Sequence, residues 1–220
     1  MEREIVVKGE GEARCLPDRA VVGVTVDAQS SSRDGAYQEA AATAKQVDDA
    51  IESRRAALGR VTTAALVVQP TTRWRKGEVS NTGWRAARTS RVEVTGFEQL
   101  GELIAELTAA GADISGPRWE IDAGNPVHRD ARRAAAEDAR RRAEDYAAAL
   151  GLGLDEVAWI TEPGLRAAPA NGSIRALAAA GMPPSPDANE VIDVTPEELT
   201  VGATVEVGFA LGGRSSGTSS

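Results

Sequence analysis

The chain of 220 residues is poor in the residue types that most often carry chemistry. It contains one cysteine, Cys15, and one histidine, His128. An intramolecular disulfide is therefore impossible, and metal sites built from several histidines and cysteines are excluded. We interpret Cys15 as a small residue at a strand end and His128 as a surface residue near a helix start. The sequence predicts no catalytic, cofactor-binding or metal-binding residue, and no cofactor.

Aromatic residues and long apolar runs are also scarce. Aromatic residues make up 4% of the chain, so alanine and valine must fill most of the core. No apolar run approaches the ~20 residues that a membrane-spanning helix needs. Residues 1–4 pass into a strand pattern without an apolar signal region. On this evidence we expect a soluble, cytoplasmic protein without a membrane span.

Charge of one sign dominates the chain. The formal net charge is −8, which argues against bulk electrostatic binding to nucleic acid or to an anionic membrane. A local basic patch is still compatible with that total. Nucleic acid is therefore not the expected partner of the chain as a whole.

Periodic apolar residues predict an α+β fold. Alternation of apolar and polar residues predicts strands over 3–16, 19–29, 61–74, 84–95, 112–123, 157–161 and 199–211. The first two strands flank Pro17-Asp18 and are predicted to pair as a hairpin. Three helices are predicted between the start signals Ser31, Thr95 and Asn125 and the terminating glycines Gly59, Gly111 and Gly151.

These elements predict a mostly antiparallel sheet with about three long helices packed on one face. We expect a single domain over residues 1–211. A proline-rich loop at 162–190 lies within it, and a disordered Gly/Ser tail follows at 212–220.

The third predicted helix carries alanine at every fourth position from Ala131 to Ala147. Small side chains allow a helix to approach a sheet closely. The opposite face holds six arginines and five carboxylates, including Asp138. We interpret that face as solvated and crossed by ion pairs four residues apart.

A basic hairpin around residues 71–91 is the one local anomaly. It contains six cationic residues against Glu78 alone, a net charge of +5, which leaves −13 on the rest of the chain. A polar turn is predicted over Lys76–Gly83, with Trp74 and Trp84 facing one another from the two arms. The candidate interaction surface consists of Arg73, Trp74, Arg75, Lys76, Trp84, Arg85 and Arg88.

Three interpretations of this hairpin stay open. Tryptophan and arginine are favoured anchors of protein interfaces, so a contact between subunits or with another protein is preferred. A plain exposed hairpin comes second. Binding of single-stranded nucleic acid or another anion comes third, since basic residues interleaved with aromatic ones serve that purpose as well.

Segments in a fixed order along the chain resemble the SIMPL-domain family. They are Ile5–Gly11, Pro17–Ala20, Trp84–Ala86, Gly111–Ile114, Ala149–Leu152 and Val201–Val207. The resemblance implies an α+β fold, ring-like or channel-like homo-oligomers, and a role linked to the envelope or to oxidative stress. It implies no catalytic residues. Exported members of the family make the periplasm the alternative location.

The residues and the resemblance together lead to one functional hypothesis. We expect a non-enzymatic protein that self-associates, with the basic hairpin as the contact surface. The alternative is a binding module for nucleic acid or an anionic ligand through the same hairpin, whose affinity would fall steeply with salt.

Overall fold

A computed structural model describes residues 3–75, 78–163 and 195–213, with the backbone alone for 73–75 and 78–81. In chain order the elements are β1 (Glu4–Cys15), β2 (Arg19–Ser30), α1 (Arg33–Ser53), β3 (Leu58–Thr63), β4 (Val67–Arg75), β5 (Glu78–Val94), α2 (Leu100–Ala109), β6 (Asp113–Glu120), α3 (Val127–Ala149), β7 (Gly153–Thr161) and β8 (Leu199–Gly212). The pairing of the described strands is antiparallel, and the predicted α+β class is confirmed.

Packing divides the chain into two compact units. The described residues of the first unit are 3–15, 123–163 and 198–213, and those of the second are 16–75, 78–122 and 195–197. The single domain over 1–211 stays a prediction. Most of the predicted loop 162–190 and of the tail 212–220 lies outside the described residues.

The first unit is a three-stranded sheet in the order β1-β8-β7, with α3 packed against one face. Its core consists of side chains from β1 and β8 against the alanine stripe of α3. The buried members are Val7, Val205, Val207, Phe209, Ala135, Ala139 and Ala143. The predicted role of the alanines, close approach of the helix to a sheet, is confirmed.

The second unit is a sheet in the order β3-β5-β2-β6, with β4 also paired to β5. Helices α1 and α2 pack against each other, and both contact the sheet. Alternate residues of β2 and β5 enter the core, where they meet the leucines of α2 and Val47 of α1. The largest fully buried side chains are Leu100, Leu103, Leu107, Val22, Val24, Val26, Val47, Val92 and Val94. The opposite face of the sheet carries charged residues.

The predicted hairpin of the first two strands is wrong. β1 pairs with β8 over twelve residues, while β2 pairs with β5 and β6 in the other sheet. The single predicted sheet is accordingly two sheets. Alternation specifies which residues share a face of a strand, whereas the partner is chosen by contacts far away in sequence.

The first helix is shorter than predicted. Ser32, not Ser31, caps it by accepting a hydrogen bond from the Gly35 amide, and α1 ends at Ser53. The Arg54 side chain then bonds Glu102 and Glu106 of α2. The apolar residue Leu58, predicted as the last of the helical stripe, instead begins β3 with its side chain buried.

Two other predicted elements differ from those in the structure. The single predicted strand over 61–74 is two strands, β3 and β4, both paired with β5. The second helix begins after one turn of 3₁₀ helix at Phe97–Gln99, rather than at a Thr95 cap. Of the helices that the structure describes, none has the length and apolarity to cross a membrane.

Candidate interaction surface

Residues 71–75 and 78–83 form a two-stranded ribbon, which we call the β4–β5 arm. β5 pairs with β2 only as far as Trp84, which lies opposite Ser30. Beyond that point its pairing with β4 continues to Arg75 and Glu78, with no third strand among the described residues. Residues 78–83, predicted as part of a turn, therefore belong to β5. The arm extends the sheet of the second unit as a ribbon.

The predicted facing of Trp74 and Trp84 is wrong. Trp84 lies opposite Pro70, and Trp74 lies opposite Val79. The two tryptophans are separated along the ribbon because β4 and β5 remain paired as far as Arg75 and Glu78, well inside the turn predicted over eight residues. Trp84 is half-buried and packs against the core of the second unit.

Arg85 and Arg88 lie on opposite faces of the sheet, as the period of a strand requires. Arg85 is on the charged face and pairs with Asp27 of the neighbouring strand. Arg88 is on the helix-covered face, with 12% of its side chain exposed. Its guanidinium donates to the Asp48 carboxylate at 2.7 and 2.9 Å and to the Ala44 carbonyl at 3.0 Å.

The structure therefore separates the seven residues of the predicted surface. Trp84 and Arg88 help to hold the second unit together, and Arg85 forms an ion pair within the sheet. Arg73, Trp74 and Arg75 lie in the arm, where the backbone alone is described. Lys76 lies outside the described residues.

Three cations of the predicted hairpin form ion pairs within the second unit. Arg91, the sixth cation of the hairpin, donates to Glu120 at 2.8 Å. Burial raises the pKa of Glu120, but hydrogen bonds from Arg118, Arg91 and Arg19 outweigh it and leave that pKa below its ordinary value. Arg85, Arg88 and Arg91 thus have carboxylate partners. The other three cations of the predicted hairpin are Arg73, Arg75 and Lys76.

Asp138 is buried, contrary to the prediction that it lies on the solvated face of the third helix. It is 8% exposed. Its carboxylate accepts the Glu10 amide of β1 at 3.0 Å and pairs with Arg142 at 2.8 Å and with Arg141. The ion pair of Arg140 with Glu144 has the predicted spacing of four residues, whereas that of Arg133 with Asp130 spans three.

Groups with conventional chemistry do not converge within the described ranges. No three histidine, cysteine, aspartate or glutamate side chains there are arranged to hold a metal ion. Cys15 is half-buried at the end of β1, and His128 is half-buried in the first turn of α3. The feature that stands out in the described part of the chain is the β4–β5 arm, a ribbon without a third strand beside it.

Comparison with known proteins identifies the family. Residues 5–209 match the family model described as SIMPL, protein of unknown function (DUF541). The chain belongs to the SIMPL family. The resemblance inferred from the sequence is thereby confirmed over almost the whole length of this SIMPL chain.

Two curated relatives support the assignment to SIMPL. Both are named 26 kDa periplasmic immunogenic protein, one from Brucella melitensis biotype 1 and one from Brucella abortus strain S19. Each is 27% identical to this chain over 185 residues, which cover 80% of the chain and 74% of the relative. The relatives are described as periplasmic, so the expected cytoplasmic location gains no support from them.

Proposed function

We propose that this SIMPL protein is non-enzymatic and works by self-association through the β4–β5 arm. The observation that carries the proposal is the ribbon of residues 71–75 and 78–83, which has no third strand beside it in the described part of the sheet. Isolated two-stranded ribbons are marginally stable in water, so such a ribbon gains stability when a partner covers it. A second copy of the chain is the partner that is always available.

The charge distribution supports an acidic partner surface. Three cations near the end of the arm, Arg73, Arg75 and Lys76, stand against Glu78 alone in that segment, while the chain as a whole carries −8. The acidic remainder of a neighbouring subunit complements that charge. Complementary charge of this kind speeds association and fixes which surfaces meet. Trp74 supplies an aromatic anchor, a residue type enriched among the hot spots of interfaces.

The non-enzymatic part of the proposal rests on composition. General acid–base and nucleophilic catalysis rely most often on histidine and cysteine, and the sequence has one of each. For the location we propose the periplasm, because the two relatives carry that location in their names. Fractionation of the native host, with recovery alongside periplasmic markers, tests the location.

The decisive experiment is the native mass in solution, measured by light scattering after size exclusion. We expect a stable multimer for the unaltered chain and a shift towards monomer for the double variant Trp74→Ala, Arg75→Ala. Loss of a central aromatic anchor and a cation weakens assembly by about tenfold or more. The control, Tyr146→Ala with Arg140→Ala, also removes one aromatic residue and one arginine, from the exposed face of α3, and should leave the multimer unchanged.

Two outcomes contradict the proposal. A monomer of 23.0 kDa for the unaltered chain discards self-association. A multimer that the double variant leaves intact removes the arm from the interface. A monomer that binds single-stranded DNA with an affinity falling steeply with salt would establish the alternative, an anion-binding arm.

A further inference from the structure

An apolar groove lies in the first unit, between α3 and the last residues of β7. It has a volume of about 270 Å³. Its floor is formed by Ala203 and Val205 of β8, one wall by Ala135 and Ala136 of α3, and the other wall by Ile160. Its residues belong to the first unit and those of the arm to the second, so an inference about this groove does not rest on the proposed function.

The groove follows from how α3 sits on its sheet. The helix packs mainly against β1 and β8 and contacts β7 much less. Ile160 shares the helix-facing side of the sheet with its register partner Val207, which is 3% exposed. Ile160 itself is 62% exposed. A large aliphatic side chain on the covered face of a sheet is thus left in the open, beside alanines too small to reach it.

The rim of the groove carries one cation without a partner among the described residues. Arg132 lines the groove, and no described carboxylate lies within ion-pairing distance of it. By contrast, Arg133, Arg140, Arg141 and Arg142 of the same helix all have carboxylate partners. Glu162 also lines the groove, so a ligand anion must sit at the Arg132 side of the rim.

We propose that this groove binds a medium-chain fatty carboxylate, with the aliphatic chain along Ile160 and Val205 and the carboxylate at Arg132. The walls match an aliphatic chain, and the Arg132 guanidinium, which has no ion-pair partner among the described residues, matches an anionic head. The size also fits: a cavity of about 150 Å³ holds benzene, so a groove of this volume has room for about ten carbon atoms.

Isothermal titration calorimetry of the full-length chain with decanoate tests the proposal. We expect saturable binding of one decanoate per chain, with octanoate weaker by about fourfold to tenfold because two fewer methylenes are buried in a half-open groove. Decan-1-ol, which has the same chain and no charge, should bind more weakly than decanoate. Failure of the unaltered chain to bind decanoate overturns the proposal.

Two pairs of variants locate the site. Ala136→Phe, an exposed helix position, should fill the groove and abolish binding, whereas Ala148→Phe, exposed near the end of α3 and away from the groove, should not. Arg132→Gln should weaken decanoate binding about threefold to tenfold without affecting decan-1-ol, whereas Arg133→Gln should change neither.

Each failure has a definite meaning. If a folded Ala136→Phe variant binds decanoate as the unaltered chain does, decanoate binds elsewhere, and the proposal that the groove is the binding site is overturned. Equal decanoate affinity for Arg132→Gln and the unaltered chain overturns the carboxylate as the recognised group. Circular dichroism of each variant establishes that its fold is intact before its binding is compared.

Discussion

Gly9 of β1 lacks a side chain at the point where α3 lies against the strand. A Cβ built at Gly9 would overlap the Ala135 carbonyl oxygen and stand 2.7 Å from the Ala139 Cβ, closer than such atoms approach. Gly11, two residues on, meets the same helix in the same way. The glycines of β1 and the alanines of α3 therefore form one packing unit, in which strand backbone touches helix backbone.

The first prediction concerns that packing. Gly9→Ala should destabilise the protein by about 1–3 kcal/mol, because the helix must move away from the strand to admit a methyl group. Urea unfolding followed by circular dichroism measures the change. The matched control is Gly202→Ala in β8, where an added Cβ meets nothing within 4 Å; its effect should stay within about 0.5 kcal/mol. Equal changes in the free energy of unfolding for the two substitutions would contradict the inference that α3 lies too close to Gly9 to admit a methyl group.

The sequence alone excludes a phosphate-binding role for these glycines, but it does not reveal that they lie against α3. The strand continues past Gly9 and Gly11 without a helix N-terminus after them, which excludes a phosphate-binding loop. Their real neighbour, α3, is more than 100 residues later in the chain. A close contact over that distance leaves no local pattern. The alanine stripe was predictable, whereas the glycines that receive it were not.

At the scale of elements, Asp138 joins α3 to β1. β1 is an edge strand with β8 as its partner on one side, so alternate backbone amides point away from the sheet. Asp138 accepts one of these, the Glu10 amide. That amide lowers the pKa of Asp138 from its ordinary value of 3.8, and Arg142 and Arg141 act in the same direction against burial.

The second prediction is the pH dependence that follows. Because the pKa of Asp138 is lower in the folded state, its contribution to stability is complete well above pH 3.8 and is lost as the pH falls below that value. Asp138→Asn should lower the urea midpoint at neutral pH, and its difference from the unaltered chain should narrow in acid. Glu137→Gln, exposed on the same helix, serves as control. If the difference in urea midpoint stays constant down to about pH 3, the ionised Asp138 carboxylate is not the source of the stabilisation.

Elements were predictable where one local pattern decides them, and mispredicted where distant contacts do. Seven predicted strand positions and three helices correspond to described elements, with one strand divided into two. The end of α1 was misplaced because Leu58 continues the helical spacing although its side chain is buried at the start of β3. Pairing of β1 with β8 joins the two ends of the described chain, which no local signal can indicate.

At the scale of the whole molecule, the net charge of the hairpin is predictable from the sequence, but the ion-pair partner of each cation is not. The net charge of +5 over residues 71–91 follows from the sequence. Which of those cations form ion pairs within the fold depends on strand register. Arg88 pairs with Asp48, forty residues earlier in the chain, because its side chain faces α1. Arg85, Arg88 and Arg91 pair with described carboxylates. The other three cations of the hairpin, Arg73, Arg75 and Lys76, lie within four consecutive residues of the sequence.

The last prediction follows from that partition of charge. If the cationic arm contacts the acidic body of another copy, assembly should weaken when sodium chloride rises from about 0.1 M to about 1 M, since the screening length falls from about 10 Å to about 3 Å. We expect the dissociation constant of the multimer to rise by about tenfold, measured by sedimentation velocity over a concentration series. The variant Arg73→Glu, Lys76→Glu should assemble poorly at low salt and regain affinity as salt screens the repulsion. A multimer whose dissociation constant is the same at both salts would show that charge is not what joins the subunits.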